Sequence, residues 1–139
     1  MPNKIYALEW LEIAGHHFET AEILVKLKHY TDAISIELQQ AIEKSLKALY
    51  AYNGIKIPKT HDLNELLFGY KDILSMDKDT EELLDIASNY YSDQRYPNPG
   101  YSMPDQPEIN SVLKLAGKIM DTVKIYILKE QDTDTKSKK

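Results

Sequence analysis

Apolar residues recur every three or four positions along five segments of the chain, which is the spacing of one face of an α-helix. These segments cover about residues 4–28, 31–52, 63–74, 80–92 and 107–130. No segment shows the alternation of apolar and polar residues that predicts a half-buried strand. The pattern therefore predicts an all-α fold, an antiparallel up-and-down helical bundle with three long and two shorter helices. Residues 1–130 form this domain, and the polar stretch 131–139 is predicted to be a disordered tail.

The second segment carries a strip of six residues at helical spacing, separate from its broad apolar face. The strip consists of Ala33, Glu37, Gln40, Lys44, Lys47 and Ala51. Charged strips are usually exposed to solvent, but two lysines in the middle also suit a groove that binds an anionic ligand. In a third interpretation the strip is a helix–helix seam between two copies of the chain. The pattern leaves these three interpretations open.

Several residues are of the types that commonly begin or end a helix. Thr31 or Asp32 is predicted to accept the free N–H groups that open the second helix, and Gly54 to end it in the left-handed conformation. Asp62, with Glu65 three residues later, predicts a capping box at the third helix. His61 precedes this cap, where it faces either solvent or whatever the lysine strip faces.

The first helix carries an apolar stripe that is predicted to face the core, and His17 falls inside it. The stripe consists of Tyr6, Trp10, Ile13, Ala14, Ala21, Leu24 and Val25. His17 is either a core or interface histidine that makes a hydrogen bond or a pocket residue. The neighbouring His16 points about 100° away on the helix, so the pair is a poor metal chelate and no metal site is predicted.

A proline-rich stretch separates the last two helices, with Pro97, Pro99, Pro104 and Pro107 close together. Such a stretch predicts an extended, stiffened loop, and long loops are often functional. Arg95 begins it and is flanked by tyrosines. A guanidinium beside aromatic rings suits a phosphate or carboxylate contact. Alternatively, Arg95 pairs internally with an acidic residue, either Asp93 or Glu108, and fixes the loop.

Composition removes several classes of function. The 139 residues include no cysteine, which excludes disulfide scaffolds, thiolate zinc sites and cysteine nucleophiles. The net charge of −5 argues against extended DNA or RNA binding, which needs a basic surface. No apolar run reaches the length of a membrane span, and the chain opens directly into a helix without a signal peptide pattern. These features together predict a cytoplasmic protein.

Several motifs along the chain resemble one known family. The run Gln39–Ala48 is followed by Thr60-His61-Asp62-Leu63 and by Arg95-Tyr96-Pro97. Further matching positions are Trp10, Ala14, Ala21, Tyr30 and Ala33. In this order and spacing they resemble the HEPN domain (higher eukaryotes and prokaryotes nucleotide-binding), nucleotidyltransferase-associated type, over almost the whole chain up to the tail.

The resemblance implies a helical bundle that forms a homodimer and binds a nucleotide. It also implies a small bacterial or archaeal protein that partners a minimal nucleotidyltransferase as its substrate-binding or toxin–antitoxin companion. The positions that match the family's motif residues are Lys44, Lys47, His61, Asp62, Arg95 and Tyr96.

Two departures from the family pattern bear on activity. The family commonly has Asp where this chain has His17. Many HEPN ribonucleases carry an Arg followed four to six residues later by His, but no histidine follows His61 in this chain. The acid–base partner that attack by a 2′-hydroxyl requires is therefore missing from the loop after Arg95. The sequence leaves enzymatic activity open and favours a non-catalytic protein.

The leading hypothesis is thus a nucleotide-binding partner of a minimal nucleotidyltransferase, with no cofactor and an adenine nucleotide as ligand. Its predicted phosphate and nucleotide contacts are Lys44, Lys47, His61, Arg95 and Tyr96, with Gln40, Asp62 and His17 in support. One alternative is a metal-independent ribonuclease toxin in which His61 replaces the missing loop histidine. The other is a purely structural dimerisation module.

Overall fold

The fold was analysed in a computed structural model, which describes residues 3–94 and 102–137, with side chains as far as residue 129. Its helices are α1 (Lys4–Lys26), α2 (Thr31–Tyr52), α3 (Leu63–Leu67), α4 (Lys78–Asp93) and α5 (Gln106–Ser137). A 3-10 turn, Phe68–Tyr70, extends α3. The described residues contain no strand. The predicted all-α bundle of three long and two shorter helices is confirmed.

Helix α2 is the centre of the bundle, because α1, α3, α4 and α5 all pack against it. Five of its large apolar side chains are fully buried, namely Ile34, Leu38, Ile42, Leu46 and Leu49. The Asn3 N–H donates to the Tyr52 carbonyl at 2.8 Å, and the rings of Tyr52 and Tyr126 lie 5.8 Å apart. The start of α1 and the end of α2 therefore meet the C-terminal half of α5 at one end of the bundle.

The face that α1 turns to the core differs from the predicted stripe. Ala7, Ala14 and Ala21, seven residues apart, are fully buried, and Leu11 is buried on the same face. Tyr6 and Ile13, predicted to be core residues, are both 44% exposed. Alanines at heptad spacing let two helices approach closely, so the small side chains occupy the contact and the larger ones lie beside it.

Two of the predicted helix ends need correction. The N-cap of α2 is Tyr30, whose side chain makes no capping hydrogen bond to the described helix. Asp32 lies inside the first turn, past the capping position, and its carboxylate accepts from the N–H of Ala33 at 2.9 Å. The third helix was predicted to reach residue 74, but α3 ends at Leu67 and becomes a 3-10 turn that contains Gly69. Glycine in a helix interior costs about 1 kcal/mol relative to alanine, which favours this early end.

The last helix extends to Ser137, beyond residue 130, where the sequence placed its end. No glycine or proline follows Gly117, so nothing in the local sequence stops the helix. The division of the chain at residue 130 and the disorder of 131–139 stay predictions. Within the described part of the chain, no helix combines the length and apolar character that crossing a bilayer needs.

Candidate functional site

A buried carboxylate organises the residues that the sequence singled out. Glu43 is fully buried in α2, and four side chains donate hydrogen bonds to it. Its Oε1 accepts from His61 Nδ1 at 2.8 Å and from Gln39 Nε2 at 3.1 Å. Its Oε2 accepts from Lys44 Nζ at 3.0 Å and from Lys47 Nζ at 3.1 Å. Glu43 was not among the predicted site residues, so the sequence missed the centre of the cluster.

The four donors keep Glu43 ionised despite its burial. Burial alone raises the pKa of a carboxyl group, because it penalises the charged form. Hydrogen bonds from His61, Gln39 and Lys44, together with the positive charge of Lys44, outweigh that effect and lower the pKa of Glu43 from 4.5 to about 2. A carboxylate is acceptor-only, so the proton shared with His61 belongs to Nδ1 of the imidazole.

The two lysines are neither a solvated strip nor a fully open groove. Lys47 is only 7% exposed, and the side chain of Lys44 is 20% exposed. The Nζ atoms of Lys44 and Lys47 lie 5.8 Å and 6.0 Å from the centre of the Trp10 ring. Among the described side chains around Glu43, two ammonium groups therefore face one carboxylate. This arrangement leaves one surplus positive charge in a largely desolvated place.

His61 points toward the lysine cluster rather than away from it. Its backbone carbonyl accepts from Gln39 Nε2 at 2.9 Å, and its ring stacks on Tyr91 at 3.7 Å with an angle of 13° between the planes. The side chain is still 47% exposed. Because Glu43 holds Nδ1, the neutral ring presents Nε2 as a hydrogen-bond acceptor. No sequence pattern linked Tyr91 to His61, since the two meet only through the packing of α4.

The predicted supporting residues have distinct places. Gln40 Nε2 donates to Gln39 Oε1 at 2.6 Å and so reaches the cluster through Gln39. His17 bonds a different residue of α2, because its Nδ1 lies 3.1 Å from Glu37 Oε1. His17 is thus the hydrogen-bonded histidine of the first interpretation, and it does not contact the Glu43 cluster.

Asp62 is the N-cap of α3, as predicted. Its carboxylate accepts from the N–H groups of Asn64 and Glu65 at 3.0 and 3.3 Å, and from the Ser88 hydroxyl at 3.3 Å. The capping box is only half formed, because the Glu65 carboxylate accepts from Thr60 Oγ1 instead of from the Asp62 N–H. Asp62 therefore fixes the segment that carries His61 and makes no contact with the lysines.

Arg95 and Tyr96 lie outside the described residues, so their convergence with Lys44 stays a prediction. A cavity of about 540 Å³ between the end of α4 and the start of α5 is lined by residues that include Asp93, Asp105 and Glu108. Glu108 accepts from the Tyr90 hydroxyl at 2.5 Å. Burial and this carboxylate both raise the pKa of Tyr90, which therefore stays protonated. Across the described residues, no three His, Asp or Glu side chains come together in a way that could hold a metal ion.

Comparison with known proteins identifies the family of the chain. The profile of the HEPN domain matches residues 7–126, and the chain therefore belongs to the HEPN family. TT1696 from Thermus thermophilus, known from a crystal structure, has 26% sequence identity to this chain. The match covers 85% of this chain and 95% of TT1696, with a TM-score of 0.68. ST0689, an archaeal HEPN homologue, has 21% sequence identity to this chain. The match covers 87% of this chain and 97% of ST0689, with a TM-score of 0.68. No curated protein matches the chain.

Proposed function

We propose that this HEPN domain protein binds the phosphate of an adenine nucleotide without turning it over, at the edge of the Glu43 cluster. The observation that carries the proposal is the surplus positive charge, since Lys44 and Lys47 share a single buried carboxylate. A charge that is held away from water and incompletely neutralised attracts an anion more strongly than an exposed lysine does.

Each cluster residue has a separate role in this proposal. Lys44 Nζ has three N–H groups, of which Glu43 accepts one, so Lys44 can donate to a phosphate oxygen. Lys47 contributes charge from its buried position, and His61 binds a donor group of the ligand through Nε2. Arg95 and Tyr96 add a third cation and a ring over the base. A few charge-assisted contacts of about 1.5–3 kcal/mol each, less ordering costs, give micromolar affinity.

Titration calorimetry with ATP, AMP and inorganic phosphate tests the site. The chain contains one tryptophan, so the fluorescence of Trp10 gives a second readout next to both lysines. Lys44→Gln and Arg95→Ala are each expected to weaken binding about tenfold or more, the loss of one charge-assisted contact. Lys124→Gln, on the exposed surface of α5, is the matched control. Absence of binding to the wild type, or equal losses with Lys124→Gln, contradicts the proposal.

The family membership supports the partner part of the proposal. We infer a cytoplasmic homodimer that works with a minimal nucleotidyltransferase, as a substrate-binding or toxin–antitoxin pair. The first test is to identify the protein that the neighbouring reading frame encodes. A nucleotidyltransferase encoded there should co-purify with the wild type. Failure of the two purified proteins to associate at micromolar concentration contradicts the partnership.

One geometric feature favours a second candidate, a metal-independent ribonuclease. An ionised carboxylate that accepts from Nδ1 of a half-exposed histidine holds the ring in the tautomer whose Nε2 accepts a proton. Glu43 and His61 form such a pair, and Lys44 lies on the same carboxylate, where it could stabilise a phosphate. Incubation with total RNA in EDTA tests this candidate. Intact RNA, or cleavage that survives His61→Ala, rules it out.

A further inference from the structure

The half-exposed ring of His61 lies between two surroundings of opposite charge. On its α2 side is the Glu43 cluster, where two ammonium groups share one carboxylate. On its α4 side is a cavity of about 230 Å³, which we call the His61 cavity. Its lining includes His61, Asp62, Asn64, Asp85, Asn89 and Tyr91. The described residues that line it carry two carboxylates and no lysine or arginine. Surplus positive and surplus negative charge therefore flank a single imidazole.

His61 offers a hydrogen-bond acceptor outside the Glu43 cluster. Its Nδ1 donates to Glu43 Oε1, and Nε2 lies on the other edge of the ring, directed away from that carboxylate. The neutral ring can only accept a hydrogen bond at Nε2. Tyr91 covers one face of the ring at 3.7 Å and holds it in place, and none of the described residues donates to Nε2. A ligand that fits here therefore supplies an N–H or O–H group.

Two aspartates add further acceptors to the cavity. Asp62 Oδ1 accepts from the Ser88 hydroxyl at 3.3 Å, and Asp85 Oδ1 accepts from Asn64 Nδ2 at 3.1 Å. Within the described part of the chain, the second oxygen of each carboxylate receives no hydrogen bond. The amide of Asn89 also lines the cavity. This combination of acceptors and amide donors suits hydroxyl groups, because a hydroxyl both donates and accepts.

The size and charge of the cavity limit the group that it can hold. Sites for whole small-molecule ligands measure about 300–1,000 Å³, so this cavity suits one part of a nucleotide. Its carboxylates repel a phosphate, whereas acidic side chains bind ribose hydroxyls in other nucleotide-binding folds. A ribose can reach the cavity while its phosphate lies at Lys44, because His61 and Lys44 bond the two oxygens of the same carboxylate.

We propose that the His61 cavity binds the ribose 2′,3′-diol of the nucleotide whose phosphate lies at Lys44, with His61 Nε2 and the carboxylates of Asp62 and Asp85 as acceptors. The inference rests on the proposed function and adds to it a preference for ribose over deoxyribose. The nucleotide then lies with its anionic end on the cationic side of His61 and its hydroxyl groups on the anionic side. The reverse orientation would place the phosphate among carboxylates.

Calorimetry with matched nucleotides tests the sugar contact. AMP and 2′,3′-dideoxyAMP have the same base and phosphate and differ only in the two hydroxyl groups. The dideoxy nucleotide should bind about tenfold more weakly or worse, because it loses hydrogen bonds to charged acceptors. Ribose 5-phosphate should bind more tightly than inorganic phosphate. Equal affinities for AMP and 2′,3′-dideoxyAMP, both weakened by Lys44→Gln, overturn the sugar contact but retain the phosphate site. Absence of binding by every nucleotide overturns both.

Two variants that each remove one carboxylate locate the contact. They are Asp85→Asn and Asp62→Asn, and asparagine caps a helix as well as aspartate does, so the second variant keeps the start of α3. Each should reduce the preference for AMP over 2′,3′-dideoxyAMP by about threefold or more, without weakening the binding of inorganic phosphate. Asp121→Asn makes the same change at an exposed position of α5 and should leave the preference unaltered. An unchanged preference in both cavity variants, or an equal change in Asp121→Asn, overturns the assignment of the diol to this cavity.

Discussion

His61 Nδ1 donates a hydrogen bond of 2.8 Å to the buried carboxylate of Glu43, eighteen residues earlier in the chain. This bond ties the segment before α3 to the middle of α2. Lys44 and Lys47 donate to the same carboxylate. Glu43 therefore fixes the histidine tautomer and holds both ammonium groups. Lys44 and Lys47 of α2 and His61 of the segment before α3 thus form one electrostatic unit around Glu43.

Replacement of Glu43 should destabilise the fold strongly. Glu43→Gln leaves two ammonium groups near the protein interior without a counter-charge, and breaking a buried ion pair in this way costs about 3–5 kcal/mol. Glu37→Gln removes the partly exposed partner of His17 and should cost less than about 1 kcal/mol. Urea unfolding at pH 7 measures both. A loss for Glu43→Gln no larger than that for Glu37→Gln would contradict the central role of the carboxylate.

The lowered pKa of Glu43 predicts acid sensitivity. Its pKa is about 2 in the folded protein and 4.5 as the reference, so between these values the unfolded chain binds the proton more readily. The free energy of unfolding should therefore be at its full value above about pH 5 and fall as the pH drops toward 2, by about 3 kcal/mol from this group. Urea unfolding from pH 6 to pH 2.5 measures the slope. If the free energy of unfolding of Glu43→Gln falls with pH as steeply as that of the wild type, other carboxylates cause the acid sensitivity.

Two helix ends with the same turn but different residues make a matched pair. The N–H of His29 bonds the Leu24 carbonyl and that of Ile55 bonds the Tyr50 carbonyl, the 6→1 bond of the Schellman motif. Lys28 (φ 54°) and Gly54 (φ 69°) occupy the left-handed position. Lys28→Gly should stabilise the protein and Gly54→Ala should destabilise it, each by about 1 kcal/mol. Thermal unfolding measures both shifts, and shifts of the same sign would contradict the assignment.

The N-caps of α3 and α4 separate a structural role of Asp62 from a ligand-binding one. Asp62 and Asp77 each accept a backbone N–H with a side-chain oxygen. Asp62→Ala and Asp77→Ala should each lower the free energy of unfolding by about 1 kcal/mol. Nucleotide affinity is then measured for both by calorimetry. A marked loss confined to Asp62→Ala would show that Asp62 does more than cap the helix.

The sequence alone determined the helices, because apolar spacing and capping chemistry act within a few residues. It located α1, α2, the Asp62 cap and the glycine at Gly54, and its motifs indicated the HEPN family. Only the tertiary structure decided which large side chains of α1 remain uncovered, since that depends on how closely the alanines let α2 approach. It also decided that Glu43 is the centre of the site. A charged residue on an isolated helix is expected to face solvent. The burial of Glu43 becomes evident only when the segment before α3 places His61 against its carboxylate.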